Sequence, residues 1–527
     1  MKRRTFLGAA AATVAAPALV QGQAARTLKF IPHANLTVVD PVWTTAYITR
    51  NAGFLIWDTL YGLDERYRPQ PQMVEGHTLE DDDTLWTFTL REGLRFHDGE
   101  PVRARDCVAS ILRWTKRDAM GARLAELTEE MSALDDRRFR IRLKRPFGLM
   151  LDALAKPPSN VLFIMPERVA ATDAYTQIKP EQLIGSGPFT FRHDEYISGS
   201  KVVFQRFAGY QPRPSGEVSG TAGPKVVHFD RVEWHIIPDF ATAGAALQSG
   251  EIDWWENVTA DLRPVLERHR EIVVNVPDPL GLISILRPNH LHPPTSNVKF
   301  RKGLLAAVKQ ADYMIAVAGT DPKYWRTRVG AFTPGTPLAT EAGLDAFAED
   351  MDLAKRLIAE SGYSGERIVL LATTDIASLQ ALSQVTGDLL RRLGLNVDYQ
   401  AMDWGSVVQR RASRESLDKG GWSIFCTNWA GLDHINPAGH HALRGNGKEG
   451  WFGWAESARL EELRQAWFEA PDLETQQRIA GAMQQQMFAD VPYIPLGQFF
   501  QPLGHRRSIA GAMQPFGIPV FWNVRRV

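Results

Sequence analysis

The stretch Leu85–Trp114, LWTFTLREGLRFHDGEPVRARDCVASILRW, decides how the rest of the chain is read. Its first part alternates. Trp86, Phe88 and Leu90 fall on one face and Thr87 and Thr89 on the other, the pattern of a half-buried strand. Glu92-Gly93 breaks the run, Leu94 and Phe96 resume the alternation, and His97-Asp98-Gly99 turns the chain, so a hairpin is predicted. After Pro101 the period becomes helical, with Ala104, Cys107, Val108, Ile111 and Leu112 on one face. His97 beside Asp98 invites comparison with a catalytic pair. No nucleophile or third ligand stands nearby, and a turn accounts for both residues.

Outward from this stretch, the chain of 527 residues is too long for one core and implies two or three domains. Lys plus Arg and Asp plus Glu both number 60, and no basic run is present, which argues against nucleic acid as the partner. The 15 tryptophans exceed what a core of this size requires, and such residues often line sites that grip amphipathic ligands. At the N-terminus, Lys2-Arg3-Arg4-Thr5-Phe6-Leu7 precedes the apolar run Gly8–Val20, too short to span a bilayer but suited to a signal peptide. Gly22-Gln23-Ala24 supplies small residues for cleavage, so 1–24 reads as an address resembling the twin-arginine export signal. No cysteine follows that run. The mature protein is therefore expected free in a periplasm, with no lipoprotein anchor and no later membrane span. Of the two cysteines, Cys107 and Cys426, the first is read as a buried free thiol.

Several other segments carry pattern. Thr27–Val39 reads as a strand and loop ending in Val39-Asp40-Pro41, and Thr44–Leu60 as a helix. In Ile184-Gly185-Ser186-Gly187-Pro188-Phe189, Ile184 stands where a hydrolase elbow needs glycine, so Ser186 is no nucleophile. The glycines are read as positive-φ positions at a domain crossing. Leu304, Leu305, Val308, Met314 and Ile315 form one apolar helix face. A strand at 368–372, a helix at 379–393 stopped by Gly394 and a strand at 395–399 make a βαβ unit, hence parallel sheet.

The opening stretch, Gly185–Phe189, Ala246–Asp253 (ALQSGEID) and Asn297–Lys302 closely resemble, in order, motifs of the family 5 extracellular solute-binding proteins. These are the peptide- and nickel-binding receptors of bacterial ABC importers. Arg103 departs from that pattern, standing where a helix-capping Thr is usual. The resemblance implies an α/β, two-lobed periplasmic-binding-protein fold with an inserted domain, mixed sheets and a hinge of two crossing strands. Domain I would comprise 25–66, 185–278 and 491–527; domain II, 67–184; and domain III, 279–490. Asp490–Leu496 would return the chain to domain I. Ligand would be enclosed between domains I and III and delivered to permease subunits by a monomer with no cofactor and no catalytic residue. Peptides are the first ligand expected. A non-peptide solute (an opine, modified amino acid, sugar or metal chelate) is the alternative, and an exported hydrolase the competing class.

The same resemblance implies the binding residues. Leu36 and Thr37 lie in the first loop, and Trp404 would line a side-chain pocket. Arg411, with Arg414 and Lys419 behind it, would meet a ligand carboxylate through its planar fork. Phe425, Cys426, Thr427, Asn428 and Trp429 form the strand that would run beside a bound peptide. Peptide binders place an Asp shortly after that strand for the ligand's ammonium; here Asn428 occupies the best match and supplies no charge, leaving Asp433 as substitute if the loop folds back. His434, His440 and His441, with His290 and His292, could suggest a metal chelate or haem. Their irregular spacing is read as surface histidines with no metal.

Overall fold

A computed structural model describes residues 26–527, so the export reading of 1–24 lies outside the described residues. Leu85–Leu90 is a strand with Trp86, Phe88 and Leu90 buried, as its alternation requires. Its partners are not the predicted ones. It lies between Val74–Glu80 and Arg138–Leu143 in a four-stranded antiparallel sheet completed by Thr128–Ala133. The hairpin turn precedes it, at Asp81-Asp82-Asp83, all with positive φ (52°, 53° and 64°), a conformation aspartate tolerates better than most residues. Past Gly93 the chain turns at His97–Gly99 as predicted, and Leu94–Phe96 pairs back on Glu100–Val102 through one antiparallel bridge, Arg95 to Pro101, with Phe96 N donating to Glu100 O at 2.8 Å and Val102 N to Leu94 O at 3.0 Å. Leu94 and Phe96 are both buried, in keeping with their alternation about this bridge.

That turn docks His97 onto the second glycine motif. His97 N donates to Gly185 O (2.8 Å), its Nδ1 accepts from Gly185 N (3.1 Å), and its Nε2 donates to Gly187 O (3.1 Å). Burial pushes the imidazole down to about 4, which keeps it neutral in this role. Neither Gly185 nor Gly187 has positive φ, contrary to expectation. Close approach is what demands glycine. A Cβ at 185 would stand 1.7 Å from Ile56 O, and one at 187 would stand 2.7 Å from Ile56 C. Ser186 is occupied structurally, its Oγ donating to Ile164 O (3.2 Å) and accepting from Asp58 N (3.2 Å).

The helix Ala104–Trp114 lacks a side-chain cap from Arg103, but Asp106 Oδ2 reaches back to accept Arg103 N at 2.7 Å. Its buried face runs through Ala104, Cys107, Ile111 and Trp114. Leu112, expected on that face, is 49% exposed. Arg113 is buried and donates through Nη1 (3.1 Å) and Nη2 (2.7 Å) to Asp40, which also accepts Ile178 N at 2.9 Å. The Val39-Asp40-Pro41 motif thus ties the first loop to this helix. Cys107 and Cys426 are both free and buried.

Two larger mixed sheets carry the rest, in keeping with the expected α/β class. The seven-stranded sheet orders Ile272–Asn275, Leu503–Arg506, Trp254–Trp255, Thr27–Ile31, Arg231–His235, Lys201–Arg206 and Phe189–Phe191. The six-stranded sheet orders Trp325–Arg326, Ile494–Phe499, Leu282–Pro288, Ile424–Ala430, Ile368–Thr373 and Val397–Met402. The predicted βαβ unit is present, with Ile368–Thr373 parallel to Val397–Met402 and the helix Ala377–Arg392 between them. Ile494–Phe499 pairs with Leu282–Pro288, so the expected return to the first lobe at 490–496 is late; Leu503–Arg506 is the strand that makes it. The apolar face at 304–315 is split between Val298–Ala307 and Gln310–Ala318, and Ile315 is 43% exposed. The first helix spans Tyr47–Ile56 rather than 44–60.

The chain crosses between these sheets twice in opposite directions, at 276–281 and 500–502. Asn275 pairs with Leu503 on one side of the crossing and Leu282 with Phe499 on the other. Gly281 sits at φ 56°, where a Cβ would come within 2.4 Å of Phe499 O. Two adjacent connections without a ladder between two laddered ends are the geometry of a hinge.

Candidate ligand-binding site

A cavity of about 90 Å³ lies where the two larger sheets' loops and helices meet, lined from the first helix (Tyr47, Arg50), the crossing (Asp278, Gly281), the strand Ile424–Ala430 and helix Trp404–Arg410. His33, Asn257, Ile376, Ser378 and Gln501 also border a second space of about 260 Å³, so the two are adjacent. The second is walled by neutral groups such as Asn35, Thr259, Gln380 and Gln384 together with Asp261, Arg263 and Asp375.

Arg411 dominates the smaller cavity. Asp403 caps the helix Trp404–Arg410 by accepting Ser406 N at 3.0 Å, and Arg411 follows at its C-terminus. The guanidinium is buried among the rings of Trp404, Phe425, Trp451 and Phe452, whose centroids lie 5.2, 5.9, 5.8 and 4.9 Å from its carbon. Nη2 lies 3.5 Å from Thr44 Oγ1 and 3.4 Å from Thr45 Oγ1; Nε has no partner. No carboxylate among the described residues pairs with it. Burial alone pushes it down to about 9, still charged at neutral pH.

The predicted strand contributes less than its full length. Thr427, Asn428 and Trp429 line the cavity, and Phe425 backs Arg411, but Cys426 does not reach it. Cys426 is taken up by the core, its Sγ 3.2 Å from Thr386 Oγ1. Asn428 is committed, accepting Ser284 Oγ and donating to Ser378 Oγ, both at 2.9 Å. Parallel pairing with Ile368–Thr373 ends at Phe425, which leaves the edge of Cys426–Ala430 without a strand beside it.

Three more expected residues lie off the cavity lining. Leu36 is buried, its carbonyl accepting Tyr196 OH at 2.6 Å, and Thr37 packs against Gly405. Asp433 turns inward to accept Tyr47 OH (2.6 Å) and Ser159 Oγ (2.7 Å), so it locks three distant segments together and is not offered to a ligand. The loop histidines are not on the surface either. His434, His440 and His441 are buried, the first two stacked with centroids 3.7 Å apart and the third against Trp429. Desolvation keeps all three below the usual histidine range. His290 and His292 turn to the Pro492 and Arg414 carbonyls.

Residues that no motif announced complete the wall. Arg50 donates to Asn51 Oδ1 (3.1 and 2.8 Å), Pro158 O (3.2 Å) and Gly517 O (2.8 Å). Glu256 accepts His33 N (2.7 Å), His33 Nδ1 (2.8 Å) and Asn51 Nδ2 (3.0 Å). Thr45, Asp278, Trp451 and Gln514 also line the space. They come from segments scattered along the whole chain, so only the fold brings them together.

Residues 68–449 match the sequence model of the bacterial extracellular solute-binding proteins, family 5 Middle, over more than half of the chain. The chain belongs to the family 5 extracellular solute-binding proteins. Among solute-binding proteins it is 36% identical over 526 residues to a probable peptide ABC transporter periplasmic-binding protein, y4tO, of Sinorhizobium fredii, covering 98% of this chain and 97% of that one. It is 26% identical over 431 residues to the glutathione-binding protein GsiB of Salmonella typhi, covering 80% of this chain and 78% of that one. The fold matches AgaA from A. tumefaciens R10, solved with agropinic acid, at a TM-score of 0.78 and 19% identity, covering 95% and 99% of the two chains. It also matches the oligopeptide-binding protein AppA of Bacillus subtilis, solved with a nonapeptide, at 0.78 and 16% over the same shares. The two-lobed solute-binding fold that the motifs implied is therefore the fold of this chain.

Proposed function

We propose that this chain captures a small, peptide-like ligand bearing an anionic group, outside the cytoplasm, and hands it to the permease of an ABC importer with no chemistry of its own. The observation that carries this reading is Arg411, buried between four aromatic rings at a cavity wall and left without a carboxylate. A guanidinium so placed is suited to a carboxylate, which its planar fork meets with two hydrogen bonds. The free edge of Cys426–Ala430 supports a peptide-like ligand, because an extended chain can hydrogen-bond there as an added strand. The names of y4tO and GsiB point the same way.

The proposal includes export of the precursor through the twin-arginine-like segment 1–24 and action in the periplasm as a monomer. It also keeps three bodies, 25–66 with 185–278 and the C-terminal strands, 67–184, and 279 onward, with the last boundary moved beyond Phe499. A compact non-peptide anion is the second reading, favoured by the small volume around Arg411 and by the commitment of Asn428 to Ser284 and Ser378. Native mass spectrometry of protein purified from its own host separates the two. A retained peptide mass supports the first; a retained non-peptide mass establishes the second; multiple turnover of a bound compound overturns both.

A further inference from the structure

The cavity wall is electrically lopsided. Arg411 stands on one side with no carboxylate, joined there by Trp429, whose buried Nε1 has no acceptor. Elsewhere the balance is reversed, because Glu256 and Asp278 in the wall and Asp433 behind it all lie in the field of one guanidinium, Arg50. Arg50 gives its hydrogen bonds to Asn51, Pro158 and Gly517, not to any of the three. His33 and Asn51 take Glu256, and Tyr47 and Ser159 take Asp433. Asp278 is left over.

Asp278 is 8% exposed and lines the cavity from the crossing segment 276–281. Its Oδ1 accepts Leu280 N at 3.0 Å and the Gly281 N–H also bears on the carboxyl, but no side chain among the described residues donates to it. The turn Gln514–Gly517 packs on it, so that a Cβ on Gly517 would lie 3.6 Å from its Oδ2. Gln514 is 5% exposed, lines the same space, and its amide oxygen is buried without a partner. One part of the wall therefore offers donors without acceptors and another offers acceptors without side-chain donors. The residues touching Arg411 and those touching Asp278 do not overlap.

We propose that Asp278 is a specificity-determining residue that receives a cationic group of the ligand, with Gln514 as a second acceptor. The ligand is then dipolar, anionic toward Arg411 and Trp429 and cationic toward Asp278. This rests on the capture reading above and adds the half of the ligand that Arg411 does not address. Burial raises Asp278 to about 6, so the carboxylate is charged at neutral pH and gains most from a cation in contact with it.

The probes are a dipeptide library with free amino termini and the same library N-acetylated, presented to the full mature protein. We expect native mass spectrometry to retain free-amino members and reject acetylated ones. Calorimetry on the tightest member should give an affinity loss of about 30-fold or more in Asp278→Asn, the scale of truncating one partner of a buried charge pair. The same discrimination should fade in the wild-type protein as the medium is taken from about pH 8 to about pH 5, a measurement that needs no variant. If Asp278→Asn holds free-amino members as tightly as the parent, or the parent prefers acetylated members at every pH, the assignment of Asp278 is overturned while peptide capture stands. If neither library is retained, peptide capture itself falls, and this inference with it.

Discussion

An arginine removed from water without a carboxylate beside it gives up hydration that nothing in the protein returns. Arg411 is in that position, and an anionic ligand would supply what is missing. Arg411→Ala should therefore weaken binding of the ligand identified by mass spectrometry by about 30-fold or more, from the ~2–5 kcal/mol that such truncations cost. Calorimetry decides it, and unchanged affinity would place the anchor elsewhere. Asp278 makes the complementary case through stability. Its pKa is about 6 in the folded protein against 3.8 ordinarily, so the folded state binds the proton more tightly than the unfolded state. Stability from this group is present below about pH 4 and lost as the pH rises through about 6. Without ligand, Asp278→Asn should accordingly be more stable than the parent at pH 8, by up to ~3 kcal/mol at 1.36 kcal/mol per unit, with the difference vanishing in acid. Denaturant titrations at the two pH values measure it. The sequence made Arg411 legible because it falls at a recognisable distance from a motif. Asp278, Arg50 and Thr45 have no such marker, since their role depends on which remote segments the fold brings beside them.

At the level of elements, alternation and helical period identified the strand Leu85–Leu90 and the helix Ala104–Trp114, but not what each pairs with. Trp86, Phe88 and Leu90 specify a buried face; they do not say whether the partner precedes or follows. The same limit misplaced Cys426. A run of consecutive strand residues was assigned to the ligand, and Thr427, Asn428 and Trp429 do line the space, but Cys426 is held in the core against Thr386. The two glycines of Gly185-Ser186-Gly187 were legible as special but for the wrong reason. Their requirement is space beside Ile56, and this can be measured. Gly185→Ala forces a carbon against the Ile56 carbonyl and should destabilise by about 3 kcal/mol or more, at or beyond the ~1–3 kcal/mol usual for overpacking. Gly148→Ala, with nothing within 4 Å of the new methyl, should stay within ~0.5 kcal/mol of the parent. Equal effects would show that the contact between Gly185 and Ile56 relaxes freely.

For the whole molecule, contacts between the lobes converge on the cavity. Tyr47 of the first helix holds Asp433, while Thr44 and Thr45 face Arg411. On the capture reading, closing the lobes would take Arg411 out of water. Arg411→Met keeps the volume but removes the charge, and should shift the ligand-free protein toward the closed form by about fivefold or more, the lower end of what buried ion pairs yield to apolar replacements. Small-angle scattering should then give the ligand-free variant the smaller radius that the parent reaches only with ligand; equal radii for the two ligand-free proteins would sink the idea. The unpaired guanidinium thus bears on fidelity as well as affinity. A transporter that recognises its receptor by closed shape would spend nucleotide on an unloaded one whenever the lobes shut spontaneously. Leaving one buried charge unanswered makes that false signal rare, and lets the cargo itself certify that the receptor is full.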